Sequence, residues 1–411
     1  MEFGCIGEHL THSFSKEVHA RIGAYPYDLC EIEKCNLDAF LLKKDFLGIN
    51  VTIPYKKDVI PYLSYISDEA KEIGAVNTVL NRNGRLYGYN TDFAGMASLF
   101  SKLGLSLNGK KVLILGTGGT AQTAKAVASH LGAKDIICVS RTESNDAISY
   151  ECAKAKHTDA EILINTTPCG MYPDVDKTPI ELENFTSLEG VVDAIYNPLR
   201  SKLVLNAQAR GILAAGGLYM LVAQAVYAAR IFQGKDYPQS VIDEIYKSIL
   251  AEKQNIVLIG MPGCGKTILG KALAKTSGKK FLDTDDLIFK KHKQNPGQII
   301  ETQGESAFRD MESEVIEVVS ALNGCIIATG GGAVLREENV YALKQNGMLF
   351  FLDRNLDDLM PTPDRPLSST KEAIEALYRE RYGIYTSVSD ERIVVEGGVN
   401  DVLENIIMRI K

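Results

Sequence analysis

The most explicit chemistry in the chain is the run Gly260-Met261-Pro262-Gly263-Cys264-Gly265-Lys266-Thr267. Glycines at these intervals let the backbone curl so that successive N–H groups point inward at a chain of phosphates. Gly263, Cys264, Gly265, Lys266, Thr267 and Ile268 form the candidate nucleotide cradle. Lys266 is spaced to reach the outer phosphates and the Thr267 hydroxyl to ligate magnesium. A plain glycine-rich turn is the alternative. The apolar run over 256–259 before it and the helical pattern over 269–274 after it give the strand, loop and helix that phosphate binding requires.

A second glycine cluster, Gly116, Thr117, Gly118, Gly119 and Thr120, follows the apolar run over 111–115 and leads into a helical pattern over 124–131. It is a dinucleotide fingerprint with its third glycine shifted, weak alone and strengthened by those flanks. The next strand, over 136–139, ends at Ser140, Arg141 and Thr142. An arginine at this place, rather than Asp or Glu, suits the 2′-phosphate of NADP.

Other polar residues close apolar runs, where α/β folds collect ligands. Lys56 follows Asn50-Val51-Thr52-Ile53-Pro54-Tyr55, Asn77 lies in Gly74-Ala75-Val76-Asn77-Thr78, and Asp92 ends Gly88-Tyr89-Asn90-Thr91-Asp92. A lone lysine such as Lys56 is usually a solvated surface charge. Ser13 and Ser15 precede a helix, and by themselves read as well as an N-cap. Further on, Asp283 and Asp285 stand two apart at a strand end, Arg309 lies in an amphipathic helical run, and three glycines from Gly330 follow an apolar strand. Arg365 sits in a proline-containing loop and Arg381 near the end of a helix.

These residues need a scaffold large enough to converge them. At 411 residues the chain suits two or three domains, and 45% hydrophobic with 24% charged residues is ordinary for a globular protein. A net charge of -7 argues against a broad nucleic-acid surface. The eight cysteines are scattered without metal-ligand spacing and no secretory signal opens the chain, so a cytoplasmic setting is expected. The apolar stretch over 211–232 is interrupted by Gln224 and glycines and reads as a buried helix rather than a membrane span. A helix over 238–250 and a polar linker over 251–255 precede the phosphate loop.

Residues 1 to about 250 resemble shikimate dehydrogenase along their length. The resemblance rests on the paired serines, the blocks NVTIPYK, GAVNT, GYNTD and SRT, the glycine fingerprint, the Tyr196 block and GLYMLVAQA. It implies that Ser13 and Ser15 hold a substrate carboxylate and that Thr52, Asn77, Asp92, Tyr196 and Gln224 bind ring hydroxyls. Lys56 would be catalytic with Asp92, since a lysine beside a carboxylate can protonate an oxygen that becomes negative on hydride addition and then be recharged; an ordinary surface pair, worth under about 1 kcal/mol, is the alternative. Gly116 to Thr120, Ser140, Arg141, Thr142, Ala194 and Gly217 would contact NADP(H). Residues 255–411 resemble shikimate kinase. That resemblance implies Thr267 and Asp283 at Mg2+, Asp285 on the substrate hydroxyls and as a catalytic group, and Lys266 and Arg365 on the phosphates of ATP. Arg309 and Arg381, with Gly331 and Gly332, would clamp the substrate carboxylate, since guanidinium forks suit carboxylates. The chain departs from the family patterns at Lys16, Asn145 and Gly383, and its segments over 144–161 and 359–364 are short.

The expected fold is α/β. A two-lobed dehydrogenase would occupy 1–252, with a substrate lobe of about 1–104 plus 218–252 and a Rossmann NADP lobe of about 105–217. A P-loop nucleoside-monophosphate-kinase-like parallel-sheet domain would follow over 253–411. The expected function is reduction of 3-dehydroshikimate with NADPH, then phosphorylation of shikimate by ATP, in chorismate and aromatic amino-acid biosynthesis. Neither nucleic acid nor membrane is an expected partner, and the oligomeric state is left open. The alternative is a quinate/shikimate dehydrogenase with an ATP-binding regulatory domain of weak turnover.

Overall fold

Short apolar runs closed by glycine or polar loops become the strands of three sheets. The computed structural model describes residues 1–10, 14–23, 25–360 and 368–410. The chain divides into two compact units, Met1–Ser248 and Ile249–Lys411.

The first unit contains two six-stranded sheets. One is built from β1 (Phe3–Gly7), β2 (Tyr27–Glu31), β3 (Gly48–Val51), β4 (Tyr65–Ile66), β5 (Thr78–Arg82) and β6 (Arg85–Tyr89), in the order β2-β1-β3-β5-β6-β4. β1 runs parallel to β2 and β3, whereas β5 is antiparallel to both β3 and β6. Asn83 and Gly84 turn β5 into β6 with φ of 52° and 78°, the left-handed pair that a two-residue hairpin demands.

The other sheet comprises β7 (Lys111–Leu115), β8 (Asp135–Ser140), β9 (Ile148–Ser149), β10 (Ile162–Asn165), β11 (Gly190–Asp193) and β12 (Leu213–Ala215). Its order is β12-β11-β10-β7-β8-β9 and every pairing is parallel. β10 and β11 are buried throughout, as expected for strands covered on both faces. The strand order reverses at β7 and β10, so the crevice beyond their carboxyl ends is the place for a ligand.

The apolar stretch over 211–232 supplies the helix Leu218–Gln233, most of it buried. It returns to pack on the helix Thr91–Leu103, and the approach is close at Gly95: a Cβ there would lie 2.8 Å from the Met220 carbonyl oxygen. Among the described residues, no helix is long and apolar enough to cross a membrane.

The second unit is a five-stranded parallel sheet of β13 (Asn255–Ile259), β14 (Lys280–Asp283), β15 (Cys325–Ala328), β16 (Gly347–Asp353) and β17 (Glu391–Val394), ordered β14-β15-β13-β16-β17. β13 is central, so the phosphate-loop sequence emerges in the middle of the sheet's carboxyl edge. The helix Gln239–Lys253 runs past the expected end at residue 250 and takes up most of the expected linker. Ala251, Glu252 and Lys253 are good helix formers, and nothing before Gln254 stops the turn.

The Gly95 contact makes a testable statement about packing. Gly95→Ala gains up to about 1 kcal/mol of helix propensity but forces the Met220 backbone away, at about 1–3 kcal/mol. The variant should melt earlier than the parent by calorimetry, and an unchanged or higher melting temperature would contradict the close approach.

Candidate active sites

In the first unit, the end of β3 leads to Thr52 and Lys56, while the first turn of the helix Thr91–Leu103 carries Asp92. Lys56 Nζ donates to Asp92 Oδ2 at 2.6 Å, with the two side chains only 15% and 11% exposed. This is a cleft pair, not a solvated surface bridge. The nucleotide fingerprint comes to the same place: a methyl group added at Gly119 would lie 3.8 Å from Lys56 Cδ.

Asn77 and Gln224 are fixed by residues that the sequence reading did not single out. Thr91 N and Thr78 Oγ1 donate to Asn77 Oδ1 at 2.7 and 3.1 Å. Two donors occupy both lone pairs of that oxygen, leaving the Asn77 amide NH2 as the group able to meet a ligand. Thr91 Oγ1 lies 3.4 Å from Gln224 Oε1, and Gln224 Nε2 donates to the Leu221 carbonyl at 3.0 Å. Ser15 begins the helix Ser15–Ile22 and is buried. The Tyr196 ring packs 5.3 Å from that of Phe14, and burial pushes its hydroxyl up to about 12. Ser13 lies outside the described residues.

The fingerprint loop shows why glycine is needed. Gly116 has φ of 112°, and a Cβ there would lie 2.7 Å from Thr166 Oγ1, at the end of β10. Gly118 precedes the helix Gly119–His130, whose N-terminus faces the loop. At the end of β8, Thr142 N donates to Ser140 Oγ at 3.3 Å and Arg141 is exposed. Gly217 N donates to the Ile195 carbonyl at 2.7 Å, and a Cβ on Gly217 would lie 2.2 Å from Ala194 O, so Ala194 and Gly217 are brought together.

Beneath Ala194 and Tyr196 lies a buried carboxylate also missed in the sequence, Asp193 at the end of β11. Its Oδ1 accepts from Asn165 Nδ2 and Ile195 N, each at 3.0 Å, and its Oδ2 accepts from Ser201 Oγ at 2.5 Å. Asn165 Oδ1 in turn accepts from Thr167 N at 3.0 Å, so the network ties together the loops after β10 and β11. The signal was a charged residue closing the apolar run Val191-Val192.

In the second unit, Gly260, Gly263 and Gly265 have φ of 142°, 79° and 105°. The Lys266 side chain folds back over this loop, its Nζ donating to the carbonyls of Gly260 and Met261 at 2.8 and 2.9 Å. Cys264 is buried and Ile268 exposed. Thr267 Oγ1 donates to Asp283 Oδ2 at 2.8 Å, while Asp283 Oδ1 accepts from Asp285 N at 3.1 Å as the N-cap of the helix Thr284–His292. The capping and ligand readings of Asp283 therefore concern its two different oxygens. A hydroxyl and a carboxylate this close are hard oxygen donors that fit magnesium, which keeps waters and phosphate oxygens as its other ligands. Among the described residues, no group of three or more His, Cys, Asp or Glu side chains could cage a metal unaided.

Asp285, Arg309, Gly331, Gly332 and Arg381 line one cavity. A Cβ on Gly332 would lie 2.2 Å from Arg309 Nη2, so only glycine lets the guanidinium lie against this backbone. Tyr385 Oη donates to the Gly331 carbonyl and its ring stacks on Phe351, fixing the glycine loop from below. The sequence reading also missed Glu312, three residues beyond Arg309 on the same helix. It is 0% exposed and its Oε2 accepts from Arg309 Nη1 at 2.6 Å. Its other oxygen, Oε1, has no hydrogen-bond partner. Burial, with Asp285 nearby, pushes its carboxyl above the usual carboxylate range against the pull of Arg309. The i to i+3 spacing from Arg309 was the available clue. Arg365 lies outside the described residues.

The Asp193 network yields a pH prediction. Burial raises its carboxyl from 3.8 to about 6, against the lowering effect of its hydrogen bonds. The folded state therefore holds this proton over a window where the unfolded chain has lost it, so its ionisation subtracts stability as pH rises from about 4 to about 6. The stability of Asp193→Asn relative to the parent should rise by about 2–3 kcal/mol across that window and then level off. Urea titrations at several pH values check this, and a difference independent of pH would contradict it.

Residues 262–411 match the family model described as shikimate kinase, and residues 5–79 that of the shikimate dehydrogenase substrate binding domain. A shikimate dehydrogenase (NADP(+)) of Clostridium beijerinckii is 39% identical over 254 residues, spanning 57% of this chain and 92% of the relative. Shikimate dehydrogenase 1 from Peptoclostridium difficile aligns with a TM-score of 0.56 at 36% identity, over 61% of this chain and 98% of that one. Shikimate 5-dehydrogenase from Thermus thermophilus, solved in complex with NADP(H) and shikimate, aligns with a TM-score of 0.55 at 29% identity, over 60% and 99%. With these matches laid over the two clefts, the chain belongs to the shikimate dehydrogenase family through its first unit and carries a shikimate kinase domain in its second.

Proposed function

We propose that this chain is a bifunctional enzyme that reduces 3-dehydroshikimate to shikimate and then phosphorylates the 3-hydroxyl just formed. The first activity is assigned to residues 1–252 and the second to 253–411, in the cytoplasm, where the eight unpaired cysteines would stay reduced. The observation that carries the reading is the Lys56–Asp92 pair with the fingerprint residue Gly119 beside it, in a chain that also holds a phosphate loop beside an arginine-lined cavity.

In the first cleft, NADPH supplies the hydride when bound, held by Gly116 to Thr120, Ser140, Arg141, Thr142, Ala194 and Gly217. Lys56 holds the C3 oxygen and gives it a proton as negative charge develops. Asp92 keeps the Lys56 ammonium in place and accepts from a ring hydroxyl. The Asn77 amide donates to a ring oxygen, because its carbonyl is already filled. Thr52, Tyr196 and Gln224 complete the ring contacts, and Ser13 and Ser15 take the carboxylate.

In the second cleft, Arg309 and Arg381 with the N–H groups of Gly331 and Gly332 take that same carboxylate. Asp285 orients the 3-hydroxyl and accepts its proton. Lys266 and Arg365 offset the charge on the phosphates of ATP, with Thr267 and Asp283 as the residues to hold magnesium, which adds charge neutralisation when bound. Phosphoryl transfer asks mainly for alignment and neutralisation, and this arrangement suits both.

Separate substitutions should separate the two activities. Lys56→Ala should lower NADPH-dependent reduction of 3-dehydroshikimate by at least about 100-fold while phosphorylation of added shikimate keeps its parental rate. Retained reduction would remove Lys56 from the chemistry. Lys266→Met should lower ATP-dependent phosphorylation by at least about 100-fold and leave reduction intact. Full phosphorylation by that variant would refute the assigned phosphate site.

A further inference from the structure

The cavity that holds Arg309 and Arg381 is also lined by Ser368. Ser368 is 1% exposed, and its Oγ has no hydrogen-bond partner. Native proteins rarely leave a buried hydroxyl in this condition, because it forfeits its bonds to water and gains nothing in return. Its companions in the lining include Pro296, Ile300, Phe308 and Leu377, whose side chains offer neither donor nor acceptor. Glu312 Oε1, in the same lining, also has no partner. The lining of one cavity thus includes a residue with an unfilled carboxylate oxygen, which accepts when ionised, and another with an unfilled hydroxyl, which donates or accepts. Two buried guanidinium groups set the charge of the ligand, and the two unfilled oxygens set its decoration: a small ring acid with more than one hydroxyl.

We propose that Ser368 contacts the substrate directly, its hydroxyl hydrogen-bonding the bound hydroxy acid and contributing to its selection. The proposal rests on the shikimate-phosphorylating reading given above. A site built to pair a hydroxyl discriminates against analogues lacking it.

The test uses the full chain with Ser368→Ala. The KM for shikimate should rise about fivefold, the loss of one neutral hydrogen bond, with the KM for ATP within about twofold of the parent. The ligand-free melting temperature should stay level or rise, because an unfilled buried hydroxyl has been removed. Calorimetric titration of shikimate, in chains that also carry Lys56→Ala and Asp92→Ala to silence the first cleft, should show binding weakened about fivefold. If the parent binds shikimate but does not phosphorylate it, the functional reading fails while that weakening still supports the Ser368 contact. Shikimate affinity unchanged by Ser368→Ala, no shikimate binding to the second unit at all, or parallel weakening of shikimate and ATP with a lowered melting temperature would each overturn the contact.

Discussion

A charged side chain is costly to hold in a dehydrated cleft unless a group of opposite sign or well-aimed hydrogen bonds meet it. Both candidate sites are organised by that constraint. Lys56 is held by Asp92 at 2.6 Å, and Arg309 by Glu312 at the same separation. Such pairs contribute little net stability, since desolvation offsets most of the attraction. Their effect is positional: each keeps a cation in a fixed place and facing an anionic or electron-rich ligand. Helix geometry steadies one carboxylate in each site. Asp92 and Asp285 both lie in first helical turns, where the helix dipole favours negative charge, and each of those helices follows a strand.

The second requirement is close backbone approach at strand ends. Gly116 lies against Thr166, Gly217 against Ala194, and Gly332 against the Arg309 guanidinium, at separations that no Cβ could share. In each case the missing side chain lets a polar group of a neighbouring loop or helix move in. The buried Asp193 performs the same service with hydrogen bonds, joining the ends of β10 and β11 so that Ala194 and Tyr196 leave the sheet in fixed directions. In both units the result is a ligand-facing edge made of backbone N–H groups, glycines and a few inward-facing polar side chains.

Local chemistry was legible in the sequence and long-range orientation was not. The two glycine clusters, their flanking strands and helices, and the arginine after β8 are all set by residues within about a dozen positions of one another, so pattern and spacing expose them. The Lys56–Asp92 contact spans 36 residues and was expected only through the family resemblance, whereas the Asp193–Asn165 bond, spanning 28, was not expected at all. The direction of the Asn77 amide depends on Thr78 and Thr91, small residues whose types carry no signal of their own. Glu312 was hidden differently: on an amphipathic helix, a glutamate three residues from an arginine looks like a surface pair until its burial is known. The helix Gln239–Lys253 exceeded expectation because polar residues were read as a linker, although their propensity is helical.

The central claim is that one hydroxy acid is made in the first cleft and consumed in the second. The most direct measurement is to incubate the purified full chain with 3-dehydroshikimate, NADPH, ATP and magnesium and identify the product by mass and NMR. Shikimate 3-phosphate, formed with equal consumption of NADPH and ATP, is the expected result. Accumulation of unphosphorylated shikimate, or ATP turnover without a phosphorylated ring acid, would contradict the account.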